Sequence, residues 1–321
     1  MNVRTRGLRR RAAWLGAAAL VAAAVLIPTA AQADPGFYAG PMFGIDPAPG
    51  GHLLVADAGR GVVDADTGAL VAPLPGVTDV APIGRSDMYA LTSTFAPDSH
   101  GALYRVSQGS VRKLADLQDF EAQNDPAGDG TAEGSDPFDL ALLNGGSTLI
   151  ADAAGNDLLV ADAKGRLDWV ATFPEQDGIQ AVPTSVAIGS DGAYYVGELT
   201  GFPAPLGASR VWRVAPGTRH AHCGASPQCA VVVSGMTSIV DLSFGPDGKL
   251  YVDQLDDAGW PALEGGNGVG GSVHACSVAT GSCQTVTSGI PMLTSIAFRG
   301  ATLWGVTLAL VPSQADVVPL N

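Results

Sequence analysis

PTSVAIGSDGAYYVGELTGFP, residues 183–203, reads as a β-hairpin followed by an acid. Ser185–Ile188 is a short run carrying Val and Ile, and Ala193–Val196 is an aromatic and β-branched run. Between them Gly189-Ser190-Asp191-Gly192 is a turn, because Gly and Asp tolerate positive φ. The second run breaks at Gly197, and Glu198 follows.

The same phrase recurs along the chain. It appears as PMFGIDPAPGGHLLVADA (41–58), DVAPIGRSDMYALTS (79–93), PFDLALLNGGSTLIADA (137–153), SIVDLSFGPDGKLYVDQL (238–255) and LTSIAFRGATLWGV (293–306). The second-run centres Leu54, Tyr89, Ile150, Tyr195, Tyr251 and Trp304 lie 35, 61, 45, 56 and 53 residues apart. A second hairpin follows most copies, as in ALYRVSQG with VRKLADL (102–117) and RVWRVAPG with CAVVVSG (210–235). Two hairpins make a four-stranded antiparallel unit that cannot bury both faces alone. Six such units in 321 residues predict an all-β chain folded as a six-bladed β-propeller. The last copy stops one strand short, and Gly36–Ala39 is expected to supply the missing strand and close the ring. The segment Asp119–Asp136 is acidic, Gly-rich and without apolar period, so a loop is expected there.

The N-terminus reads as an export signal. Five arginines between positions 4 and 11 precede an apolar run, Ala12–Ile27, and Ala31-Gln32-Ala33 is a small-x-small cleavage site. Residues 1–33 are therefore expected to be removed, leaving 34–321 as one secreted propeller domain without a membrane span. The leader carries five of the 17 basic residues and none of the 31 acids, so the mature chain has 12 bases against 31 acids, a formal charge of −19. Such a surface repels nucleic acid and anionic lipid. It favours solubility, cations or cationic ligands, and a monomer is expected.

Four cysteines in an exported chain read as two disulfides. Three pairings are possible. Cys223–Cys229 and Cys276–Cys283 are expected because each closes one local hairpin.

Four stretches resemble the ScyD/ScyE family, propeller proteins named after genes of the scytonemin sunscreen cluster. They are VPTSVAIGSDGAYYVGELTGFPAPLGASRVWRV (182–214), FEAQNDPAGDGTAEGSDPFDL (120–140), IADAAGNDLLV (150–160) and IVDLSFGPDGKLYV (239–252). The resemblance covers nearly the whole mature chain and implies a secreted six-bladed propeller, related to those with NHL-like repeats. It implies no activity, cofactor or catalytic residue. The family tends to have Asn-Pro-Tyr where this chain has Asp136-Pro137-Phe138, and the first and last copies match weakly.

Carboxylates are the residues with chemistry to offer. Asp57, Asp152, Glu198 and Asp253 end second strands and are expected on one rim of the central channel. Asp79, Asp136, Asp139 and Asp241 lie where the chain enters each blade. Asp152, Glu198 and Asp253 together suit a hard cation such as Ca²⁺, which takes oxygen ligands. Asp136, Asp139 and Asp241 are the candidate ligand-binding acids on the same face. His100 is the one histidine expected near that rim, and His220-Ala221-His222-Cys223 with Cys229 has the composition of a zinc cluster on an outer hairpin. No Gly-x-Ser-x-Gly and no phosphate-binding loop occurs, and the Gly266-x-Gly268-x-x-Gly271 triplet precedes a strand rather than a helix. Two classes follow. One is a non-catalytic module that binds a small molecule or a protein on an acidic face. The other is a Ca²⁺-dependent hydrolase of the lactonase type built on the carboxylate ring.

Overall fold

The computed structural model describes residues 38–320 apart from 85, 97, 129 and 131–133. The leader and residues 36 and 37 of the expected closing strand lie outside the described residues. Strand makes up 49% of the described residues and helix 6%, and six antiparallel sheets form the expected six-bladed propeller.

Each blade runs outward from the axis in chain order. Blade 1 holds β1 (Met42–Pro47), β2 (Leu53–Asp57), β3 (Gly61–Asp64) and β4 (Leu70–Pro73). Blade 2 holds β5 (Val77–Pro82), β6 (Asp87–Thr92), β7 (Ala102–Ser107) and β8 (Ser110–Asp116). Blade 3 holds β9 (Pro137–Leu142), β10 (Thr148–Asp152), β11 (Asp157–Ala161) and β12 (Leu167–Thr172). A two-residue strand, β16 (Ala221–His222), adds to its outer edge in parallel. Blade 4 holds β13 (Pro183–Ile188), β14 (Tyr194–Glu198), β15 (Ser209–Val214) and β17 (Cys229–Met236). Blade 5 holds β18 (Ile239–Phe244), β19 (Leu250–Gln254), β20 (Gly271–Cys276) and β21 (Cys283–Ile290). Blade 6 holds β22 (Ile296–Arg299), β23 (Thr302–Thr307) and β24 (Asp316–Leu320), three strands among the described residues.

The blades stack through apolar clusters drawn from facing sheets. Leu149, Leu158 and Val160 of blade 3 meet Val186, Val196 and Trp212 of blade 4. Val211 and Val233 of blade 4 meet Leu242, Leu250 and Val252 of blade 5. At the closure Tyr38, 3% exposed, packs with Met42, Ile45 and Val55 of blade 1 and with Ala297 and Val306 of blade 6. Tyr38 thus seals the joint by side-chain burial, and neither it nor Ala39 carries strand structure.

One segment departs from the loop expected of it. Leu117–Asn124 is a helix, α1, started by the Asp116 carboxylate accepting from the Asp119 N–H and ended by Asp125 at φ 40°. The cap explains a helix in a stretch without apolar period, since Leu117 and Glu121 alone are buried on it. A second helix, α2 (Trp260–Glu264), lies in the insertion between β19 and β20 and anchors itself with Trp260.

Cys223–Cys229 and Cys276–Cys283 are bonded as expected; Cys276–Cys283 links the paired strands β20 and β21 within blade 5, whereas Cys223, which follows β16 on the outer edge of blade 3, is tied to Cys229 at the start of β17 in blade 4. Peptide mapping without reduction is therefore expected to return two local links. Replacing Cys276 and Cys283 by Ala should cost about 2 kcal/mol, the entropy of a seven-residue loop, and leave the fold intact. A cross-link between Cys229 and Cys276 would overturn the pairing.

Candidate functional site

The innermost strands β1, β5, β9, β13, β18 and β22 surround a cavity of about 250 Å³ on the propeller axis. Four aspartates line it: Asp46, Asp79, Asp139 and Asp241. No Lys, Arg or His is among the lining residues.

Three of these carboxylates also fasten the ring. Asp79 Oδ2 accepts from the Leu140 N–H of blade 3 at 3.0 Å, and Asp139 Oδ2 accepts from the Val186 N–H of blade 4 at 2.6 Å. Asp241 Oδ2 accepts from the Ile296 N–H at 2.6 Å and from Ser295 Oγ at 2.7 Å, both in or beside blade 6. Ser295 Oγ in turn accepts from the Ile45 N–H of blade 1 at 3.1 Å. One position earlier, the hydroxyls of Thr78, Thr184 and Thr294 donate to the carbonyls of Pro137, Ile239 and Met42 in the next blade. Buried backbone groups that no sheet ladder reaches are thereby satisfied. Gly44 holds the matching place in blade 1, where a Cβ would lie 2.0 Å from Asp79 Oδ1. The missing side chain is the room that Asp79 occupies.

Asp46 is different. It makes no hydrogen bond among the described residues, it is half-buried, and it faces the carboxylates of Asp139 and Asp241. Sequence reading missed it because Ile45-Asp46-Pro47 looks like the end of a strand. The signal was present: the other blades place Ala81, Ala141, Ala187 and Ser243 two residues after their channel position, and all four also line the cavity.

The electrostatics follow from this crowding. Burial pushes Asp79 and Asp241 up to about 8, with the neighbouring carboxylates Asp46 and Asp139 adding to the respective shifts. Asp46 and Asp139 are also raised, by burial first and then by their acidic neighbours. The two carboxyls of Asp79 and Asp139 also act on each other, Asp139 lowering Asp79 against the larger effect of burial and Asp79 raising Asp139 further.

The candidate acids distribute as follows. Asp139 and Asp241 both line the channel. Asp136 does not; it accepts from Ser93 Oγ and is pushed up to about 6 by burial, with Asp152 adding to the shift. The expected cation ligands do not converge. Asp152 accepts from Ser135 Oγ and the N–H groups of Asp136 and Gly155. Glu198 is held by both Nε and Nη2 of Arg210, at 2.8 and 3.0 Å, and by Trp212 Nε1. Asp253 is one residue out of step: Pro183 pairs with Glu198, but Ile239 pairs with Gln254, while Asp253 sits opposite Asp241. A one-residue slip turns a strand side chain to the other face. Asp152, Glu198 and Asp253 therefore do not fit a shared Ca²⁺.

The acidic rim expected on the face where second strands end is instead largely apolar. Leu199, Val240, Leu255 and Trp260 cluster there, with Leu263 and Leu310 packed against them. Phe43 stacks at 4.3 Å on Phe95 and edge-on at 5.4 Å to Phe138. Phe43 and Val240 are buried, whereas Leu142, Ile188 and Phe244 at the far ends of the lining strands are partly exposed. The channel therefore opens on the face of the first-to-second-strand turns.

The histidines take structural partners. His100 Nε2 lies 3.0 Å from Asp116 Oδ2, away from the channel. His220 pairs with Asp168 and His222 with Thr172, and Cys223 and Cys229 are spent in a disulfide, which removes the zinc cluster. Among the described residues no helix is long and apolar enough to cross a membrane.

No protein-family model matches the chain, and no curated protein matches it in sequence. Solved structures do match in fold. A gluconolactonase from Xanthomonas campestris superposes with a TM-score of 0.59 at 13% identity, over 89% of each chain. The PQQ-bound aldose sugar dehydrogenase from Streptomyces coelicolor gives 0.57 at 13%, over 90% of this chain and 96% of that one. Virginiamycin B lyase from Staphylococcus aureus gives 0.52 at 12%, over 88% and 85%. At such identities the likeness is one of fold, and it places this chain among six-bladed propellers similar to lactonase, dehydrogenase and lyase enzymes.

Proposed function

We propose that the protein is an exported, non-catalytic binding propeller that takes a small organic cation, an amine or guanidinium compound, into its central channel. The observation that carries this reading is Asp46, a carboxylate without a hydrogen-bond partner among the described residues, in a cavity with three more carboxylates and no basic side chain. A cation there offsets the mutual repulsion of the acids. Phe138 and Phe244 supply apolar and π surface for the body of the ligand. The local disulfides, the leader-like N-terminus and the resemblance to the ScyD/ScyE family support export of such a module. The hydrolase alternative loses its main support, because Asp152 and Glu198 are engaged in separate places and Asp253 is turned to another face of its strand.

Calorimetric titration with a panel of diamines and guanidinium compounds, each beside a neutral isostere, tests the reading. Binding of the cationic members only is expected. Asp46→Asn should weaken it by about 10- to 100-fold, the loss of one charge-assisted contact, without lowering the melting temperature. Equal binding of the neutral isosteres, or none by any cation, would refute it. Lactone turnover that requires added Ca²⁺ would favour the hydrolase instead.

A further inference from the structure

Asp253 is the least explained side chain in the molecule. It is 0% exposed, and neither carboxylate oxygen has a hydrogen-bond partner among the described residues. It sits on β19 directly opposite Asp241 of β18. The residues opposite the channel position in blades 2, 3 and 4 are Leu91, Ala151 and Gly197. Blade 5 thus places a carboxylate where its neighbours place apolar or missing side chains.

Side chains of directly paired residues project from the same side of a sheet. Asp241 reaches Ile296 and Ser295, so that side faces blade 6. Asp253 shares it, in a seam whose other occupants include Val273, Leu293 and Ile296. Asp257 is nearby but is bonded to Gln254 Nε2 and Ser272 Oγ. No basic side chain among the described residues pairs with Asp241 or Asp253. An isolated buried carboxylate costs several kcal/mol unless something pairs with it.

We propose that Asp253 and Asp241 bind a hard divalent cation, with Ca²⁺ as the fitting example, in the seam between the fifth and sixth blades. Ca²⁺ takes oxygen ligands, and the two paired carboxylates match a divalent charge. Asp241 lines the channel but Asp253 does not, so the paired carboxylates lie at the wall of the channel rather than within it. The ion fastens blade 6 beside the ring closure, a structural role separate from the amine reading.

The test is the melting temperature of the purified mature protein in chelator and in millimolar Ca²⁺, with metal analysis of the protein after dialysis. Ca²⁺ is expected to raise Tm by about 5 °C. Asp253→Ala, which copies Ala151 of blade 3, should melt above the wild type in chelator and gain nothing from Ca²⁺. Asp253→Asn gives a second, nearly isosteric reading if the Ala variant fails to fold. Asp46→Asn should keep the full Ca²⁺ response. Indifference of the wild type to Ca²⁺ and chelator would overturn the proposal. So would a response that survives loss of Asp253, or one abolished by Asp46→Asn, which would place the ion in the channel instead.

Discussion

Replacing Arg210 by Met is expected to destabilise the fold by about 3–5 kcal/mol, because it strands a buried charge. Glu198 is 1% exposed and receives three N–H groups, two from Arg210 and one from Trp212. The guanidinium also lies 5.0 Å from the Trp212 ring centroid, which fixes its plane. Without Arg210 the carboxylate keeps one donor in an apolar seam and is driven to hold a proton. Burial already raises Glu198 despite its partners, so the variant's folded-state value lies further above that of the unfolded chain, about 4.3. Below that pH both states are protonated and the deficit is small. As pH rises towards the folded value the unfolded chain releases a proton that the fold retains, and stability falls. Urea unfolding at pH 5 and pH 8 should therefore show the larger loss at pH 8. The double replacement Glu198→Gln with Arg210→Met should recover much of it, since a neutral pair leaves no bare charge. A single Arg210→Met variant within about 1 kcal/mol of wild type at pH 8 would contradict the account.

The blades were legible because their information is local. A Gly-x-Asp-Gly turn between two short β-branched or aromatic runs specifies its hairpin without help from distant residues, and both disulfides join cysteines six or seven residues apart, Cys276–Cys283 within one hairpin. The site was less legible because it depends on register and on what lies across the axis. Tyr195-Val196-Gly197 and Tyr251-Val252-Asp253 align residue for residue, so Asp253 matches Gly197 and not Glu198. Following the acids rather than the aromatic run shifts the strand by one and turns its side chains over. Asp46 was hidden for another reason. It is a polar residue among alanines and a serine, visible only when equivalent positions around the ring are compared. That Asp136 and Asp152 serve neighbouring hydroxyl and N–H groups also follows only from the three-dimensional approach of Ser93 to Asp136 and of Ser135 and Asp136 to Asp152.

The pH dependence of the whole domain should run against the usual acid-denaturation trend. Asp79 and Asp241 are pushed up to about 8 in the fold, chiefly by burial, and Asp46, Asp139 and Asp253 are raised by the same cause. In the unfolded chain these groups return to about 3.9. Between about pH 4 and pH 8 the unfolded state has released protons that the folded state still binds, so each raised carboxyl removes stability as pH rises. The slope is about 1.4 kcal/mol per pH unit for every proton retained. Ion-paired acids such as Asp191, lowered by Arg213, act in the opposite sense, but that pair is exposed and contributes little. In chelator and without an amine ligand, the melting temperature is therefore expected to be highest near pH 5 and to fall steadily towards pH 8. Asp241→Asn removes one retained proton, so it should flatten the profile while keeping an oxygen to accept from Ile296. Addition of Ca²⁺ should flatten the wild-type profile too, because an ion replaces the proton as the partner of Asp253. A stability that climbs from pH 5 to pH 8 would show that the channel acids ionise freely in the fold, and would remove the electrostatic basis of both proposed cation sites.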